Sequence, residues 1–218
     1  MPPASIDLAL TLAPRACRPA LAALFALDAR LGQTLALTRE PMVGQLRIAW
    51  WRDALIALDI AAPPAEPVLA NLADRVVATG ITGRELAAMT VGWEALLSTE
   101  RIDAATLATH AEERGARLFA LAARLLGADE SAVTADAGRG WALADLTRHV
   151  SSADAVALAD AGATTAFDRA FAARWPARLR PLGVAAMIAA NERAGADRSA
   201  GGWRAAASFL RFRMTGRR

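Results

Sequence analysis

ALFALDARLGQTLALTREPMVGQLRIAWWRDAL, residues 23–55, carries apolar side chains at helical spacing on both sides of a single break before Pro41. Proline fixes φ and lacks an N–H, so it is tolerated at the first helical position and not inside a helix. Pro19 therefore opens a first helix running to about Leu37, and Pro41 opens a second reaching about Asp59. On a wheel of 100° per residue, Val43, Leu46, Trp50, Ala54 and Ala57 gather within about 80°. This predicts that Trp50 faces the core, with Arg47 at the edge of the buried stripe and Trp51 just beyond it. Arg52 and Asp59 fall nearly opposite and are expected in solvent. A half-buried arginine is costly to leave unpaired. Arg47, Trp51 and Arg52 are thus candidates for contact with an anion or a partner.

Outward from this stretch the helical period continues. The loop 61–67, AAPPAEP, ends the second helix, and a third is expected over Val68–Ala78. Thr82 and Glu85 form a capping box for a fourth helix ending near Leu97. Asp103 caps a long fifth, DAATLATHAEERGARLFALAARLL, closed by Gly127. A sixth is expected from about Ser131 to Val150, with weaker helices near 153–161, 164–174, 181–194 and 203–213. Alanine and leucine dominate and no hairpin signal occurs, which predicts an all-α fold. No repeat or linker is visible, so residues 1–218 read as a single domain, with 214–218 as a loose tail.

Composition narrows the class. A hydrophobic content of 55% excludes intrinsic disorder. There is no lysine, so all 25 basic residues are arginines, and the formal net charge is only +3. That modest excess gives no nucleic-acid footprint. Cys17 is the only cysteine, which excludes an internal disulfide and a cysteine-based zinc cluster. No apolar run approaches the ~18 residues of a spanning helix, and MPPASID has no basic region of a secretory signal. The expectation is a cytoplasmic protein, with peripheral contact to the inner membrane left open.

Residues 23–55 resemble the N-terminal part of the squalene/phytoene synthase family, in which an A-L-Y-A-F helix leads into a carboxylate motif and a W-R-x-x-L helix follows. LATHAEERGARLFALAARLLG, residues 107–127, is similar to the family's Y-x-x-x-x-A-G helix. GRGWALADLTRHV, residues 138–150, is similar to the helix bearing its second carboxylate motif. The resemblance covers roughly residues 18–195. It implies an all-α isoprenoid synthase bundle with a central cavity, in a C-terminally shortened form. It also implies prenyl transfer from diphosphates, using Mg²⁺ between two D-x-x-x-D motifs. Carried over residue by residue, the first motif falls on Gly32 and Ala36, with Gln33 at an extra acidic position. The second falls on His149 and Ala153, with Ser152 between them. Arg148 matches the arginine preceding the second motif and is a further anion candidate.

The motif carboxylates are therefore absent at the positions the resemblance assigns, so no catalytic residue, metal or cofactor is expected. Asp28 and Asp145 lie one turn earlier on the same helical faces and are weak substitutes. They are otherwise expected to pair with arginines such as Arg30 or Arg148. His110 and His149 are the only histidines and could share a site. The residues leave three functions open. One is a non-catalytic binding or assembly factor for a membrane-associated respiratory complex, with a protein partner or a lipid or isoprenoid in the central cavity. It resembles a subgroup that includes a mitochondrial complex I assembly factor related to phytoene synthases. The second is a prenyl transferase with a reorganised site using Asp28, Asp145, Arg47 and Arg148, which alone would need Mg²⁺. The third is a lipid-binding or membrane-surface protein using the amphipathic C-terminal helix, with Trp203, Phe209 and Phe212 on one face.

Overall fold

A computed structural model describes residues 4–38, 40–193 and 202–218. Among them every regular element is helical. α1 (Ala4–Leu12) precedes the first helix expected from the sequence and packs Ile6 and Ala9 against α11 (Arg180–Arg193). α2 (Arg18–Ala36) and α3 (Pro41–Ala57) each begin with proline in the first turn, as the sequence predicts. α4 (Pro67–Arg75) is shorter than expected, because a 3₁₀ turn and Gly80 at φ +95° end it. The Thr82–Glu85 capping box is formed. The helix it opens breaks at once, giving α5 (Gly83–Ala87) and α6 (Thr90–Leu97).

The long fifth helix is present but not uniform. It runs as α7 (Ala104–His110), a π-helical stretch Ala111–Ala116 and α8 (Arg117–Leu125). α9 (Ala132–Leu146) follows a Ser131–Thr134 capping box, and α10 (Ala153–Ala172) is one helix where two were expected. Gly162 does not interrupt it; Leu143 packs against that glycine from α9. α12 (Gly202–Thr215) ends the chain's helical part. Trp203 and Arg204 have side chains outside the described residues.

α9 is the central helix, buried along nearly its whole length and in contact with α8, α10, α11 and the π stretch. Small residues permit that depth. A Cβ on Gly138 would lie 2.1 Å from the Gly115 carbonyl oxygen, and one on Gly115 would lie 2.2 Å from that of Gly138. The two backbones therefore touch, and neither position admits a side chain without separating the helices.

The face assigned to α3 from the wheel is wrong. Gly44, Ile48, Trp51 and Leu55 are buried, while Trp50 is 48% exposed and Leu46 67%. Two apolar stripes compete on this helix, and the one holding Gly44 wins because it lets Leu97 approach the backbone closely. Arg47 is exposed, not half-buried, and donates to Thr38 Oγ1 at 3.1 Å. Arg52 is not free in solvent but pairs with Glu94 at 3.0 Å. Asp59 is exposed as expected, yet its carboxylate accepts the Gly83 N–H at 2.5 Å and the Arg84 N–H at 3.1 Å, joining the end of α3 to the start of α5.

Trp51→Ala should cost about 3–5 kcal/mol by leaving a core cavity, whereas Trp50→Ala should cost less than about 1 kcal/mol. Urea unfolding of both variants checks the ranking; an equal loss would mean that the wrong face has been assigned to the core.

Candidate functional site

The centre of the bundle holds an ionic cluster drawn from three elements. Arg114, on the π stretch, is only 3% exposed, and Asp28 on α2 and Asp145 on α9 are 4% and 9% exposed. Arg114 Nε donates to Asp28 Oδ1 at 2.8 Å and Nη2 to Asp28 Oδ2 at 2.9 Å, a bidentate pair. Nη2 also donates to Asp145 Oδ2 at 2.8 Å. The remaining Asp145 oxygen accepts from Arg148 Nη2 at 2.7 Å, and Arg148 reaches on to Glu192 at 3.4 Å. All four carboxylate oxygens are therefore engaged by guanidinium N–H groups.

Aromatic rings enclose the cation. The guanidinium carbon lies 4.1 Å from the Trp93 ring centre and 4.9 Å from that of Trp141. Such cation–π contacts strengthen where water is excluded. His110, one turn before Arg114, brings its Nδ1 within 2.7 Å of the Gly92 carbonyl and its Nε2 within 3.4 Å of Arg114 Nη1. A carbonyl only accepts, so Nδ1 carries the proton and Nε2 turns its lone pair toward the arginine.

The charges follow from this enclosure. Burial alone would lower the Arg114 pKa, but the two carboxylates reverse the effect and hold the guanidinium charged. Burial would raise the Asp145 carboxyl, yet Arg114, with help from Arg148 and His149, holds it below the usual carboxylate range. Burial, and then the charge of Arg114, push the His110 imidazole down to about 3.

Of the residues expected at the site, the structure brings Asp28, Asp145 and Arg148 together. Arg30 does not pair with Asp28; it reaches Glu66 at 3.4 Å. The two histidines do not share a site, because His149 Nδ1 bonds the Asp145 backbone carbonyl at 2.9 Å while His110 is bound to Gly92. Among the described residues no group of His, Cys, Asp and Glu is arranged to hold a metal ion. A Cβ at Gly32 would lie 2.9 Å from the Trp93 ring, so that ring fills the space in front of it. Ala36, His149 and Ala153 are exposed.

Arg114, Trp93 and Trp141 were not anticipated. The signal for Arg114 was present: it stands at the i, i+4, i+7, i+11 spacing of Leu107, Ala111 and Leu118, all buried. Arg47, Trp50 and Trp51 meet elsewhere, on the opposite face of α2. With Arg30, Gln33 and Leu37 they line a surface groove of about 230 Å³. Among the described residues no helix is long and apolar enough to cross a membrane.

The chain matches the sequence model of the squalene/phytoene synthase family over residues 4–157, and it belongs to that family. The matched region contains Asp28, Arg114 and Asp145, begins with α1 rather than at residue 18, and stops within α10. No curated protein and no solved structure matches the chain.

Two outcomes test the cluster. Arg114→Met should cost about 3–5 kcal/mol at neutral pH in urea unfolding, because it leaves the buried Asp28 without a cation and Asp145 with Arg148 alone. Independently, unfolded His110 binds a proton below about 6.5 while folded His110 stays neutral down to about 3. Stability therefore falls as pH is lowered between these values, by about 1.4 kcal/mol per unit at most. Chemical unfolding between pH 6.5 and 5.5 should show this slope, and His110→Gln should flatten it.

Proposed function

We propose that this family member has lost both Mg²⁺–diphosphate carboxylate motifs and works without catalysis, as a binding or assembly factor for a membrane-associated complex. One observation carries the reading: the guanidinium of Arg114 lies between Asp28 and Asp145, the acids facing each other from α2 and α9. Mg²⁺ needs several oxygen ligands with lone pairs directed at one point. Here each carboxylate oxygen accepts an arginine N–H, and a cation of the same sign already holds the centre. The donor set does not fit a metal cluster. The Trp93 ring against Gly32 supports the same reading, since an aspartate there would collide with it.

Binding then falls to the surface. Met42, Val43, Leu46 and Trp50 form an exposed apolar stripe along α3, with Leu37 from the end of α2 beside it. Contiguous exposed apolar area of this kind marks an interaction face. Arg47 stands at the edge of the stripe, which makes it and Trp50 the contacts proposed for a protein partner. The resemblance to the subgroup containing a complex I assembly factor suggests the kind of partner, by analogy alone. In this reading the protein needs no cofactor and works in the cytoplasm. A prenyl transferase using Asp28 and Asp145 would have to break the arginine bonds first.

The full chain, incubated with Mg²⁺ and farnesyl or geranylgeranyl diphosphate, should release no diphosphate above background. Turnover that Asp28→Asn abolishes while the variant stays folded would overturn the proposal.

A further inference from the structure

The charge of this chain is not evenly spread. Residues 169–180 contain four arginines and no acid, and residues 203–218 contain five arginines and no acid. All 22 acidic residues lie outside these two stretches, so the net charge of +3 conceals a strongly basic region.

The fold brings the two stretches together. The Trp175 N–H donates to the Gly216 carbonyl at 2.8 Å, and Arg174 Nε donates to the Thr215 carbonyl at 2.8 Å. Arg180 Nη1 donates to the Arg213 and Met214 carbonyls at 2.7 and 2.9 Å, capping the C-terminal end of α12. Phe212 is fully buried, edge-on to Trp175 and Phe171, and Phe209 is half-buried. The phenylalanines of α12 therefore serve the bundle, not solvent. The opposite side of the helix presents Leu210 and Met214, one turn apart and 58% and 71% exposed. Around them Arg211, Arg213, Arg217 and Arg218 are exposed. Arg174, Arg178 and Arg180 spend their hydrogen bonds on backbone carbonyls, and Arg218 lies over the Phe171 ring. Among the described residues none of these seven arginines is paired with a side-chain carboxylate, whereas Arg169 meets Asp136 at 3.2 Å.

We propose that this end of the molecule is a docking surface for an anionic lipid bilayer. Arg211, Arg213, Arg217 and their neighbours bind phosphate headgroups, and Leu210 and Met214 enter the boundary between headgroups and acyl chains. Charge complementarity brings the surface to anionic lipid, and the apolar pair adds burial that a phosphate backbone would not provide. Single-stranded nucleic acid is the other polyanion to weigh, and it is gripped through exposed aromatic rings on which bases stack. Among the described residues Phe171, Trp175 and Phe212 pack on one another, while the aliphatic Leu210 and Met214 stand outward. The inference goes beyond the proposed function and does not depend on the absence of catalysis.

Co-sedimentation of the full chain with vesicles tests it. The protein should pellet with phosphatidylcholine vesicles containing phosphatidylglycerol, stay in solution with phosphatidylcholine alone, and dissociate as salt is raised. Arg211→Glu/Arg213→Glu/Arg217→Glu should weaken binding more than about tenfold, and Leu210→Ser/Met214→Ser several-fold. Arg75→Glu/Arg84→Glu/Arg101→Glu, the same charge change at exposed sites elsewhere, should bind like the parent. Circular dichroism keeps the comparison to variants of unchanged helicity. Equal binding by parent and both α12 variants would overturn the proposal. So would an equal loss in the remote variant, or retention by single-stranded RNA without retention by anionic vesicles.

Discussion

The packing of this bundle depends on one buried guanidinium. A charge at the position of Arg114 would be prohibitive alone, since moving an ion out of water costs several kcal/mol even after the protein relaxes. Two carboxylates and two tryptophan faces offset that cost, and they come from three separate segments: Asp28 from α2, Trp93 from α6, and Asp145 and Trp141 from α9. The cluster therefore fixes how these segments meet as well as contributing energy. A hydrophobic replacement of similar shape could match its stability. It would not impose a bidentate geometry, which accepts only one rotation of α2 about its axis.

The backbone around the cluster is shaped to the same end. Arg114 and Gly115 lie in a π-helical stretch, a form that departs from the ordinary helical bond pattern and is often found at functional positions. A Cβ at Gly92 would lie 2.7 Å from the Arg114 backbone nitrogen, and Gly115 meets Gly138 backbone to backbone. Missing side chains on three segments thus let α6, the π stretch and α9 close around the guanidinium. His110 completes the enclosure as a neutral ring, because a second positive charge beside Arg114 would cancel what the carboxylates supply.

Much of the fold could be read from the sequence, because helix starts are local. Pro19, Pro41, the Thr82–Glu85 box and Asp103 all act within a turn of the residue they control, and each opens a helix in the structure. Which face of a helix is buried is not a local property. α3 has two apolar stripes, and the choice between them depends on Leu97 fitting against Gly44 from another helix. The site was half legible for the same reason. Asp28 and Asp145 fall on the inward faces of their helices, and the neighbouring Arg148 pairs with Asp145 as expected. The cation that joins the two acids is Arg114, in a run of charges, AEERGAR, that reads as a solvated surface. Only its spacing from Leu107, Ala111 and Leu118 marks it as inward, and a charge in an apolar stripe makes sense once two acids are known to face it.

The same enclosure bears on the proposed role at the surface. In this bundle the facing acids are bound to an arginine and a tryptophan ring covers the inner glycine, so side chains occupy the space between those helices at that level. Apolar residues that a cavity would otherwise occupy with ligand then matter at the surface. Met42, Leu46 and Trp50 on α3, and Leu210 and Met214 on α12, remain outside while the phenylalanines and the second tryptophan of the same helices pack inward. Each of these helices thus divides its large side chains between a buried stripe and an exposed one. Such a division is unfavourable in a monomer that meets only water. It becomes favourable when the exposed stripe is covered, and that is the physical ground for looking for this protein's function on its outside.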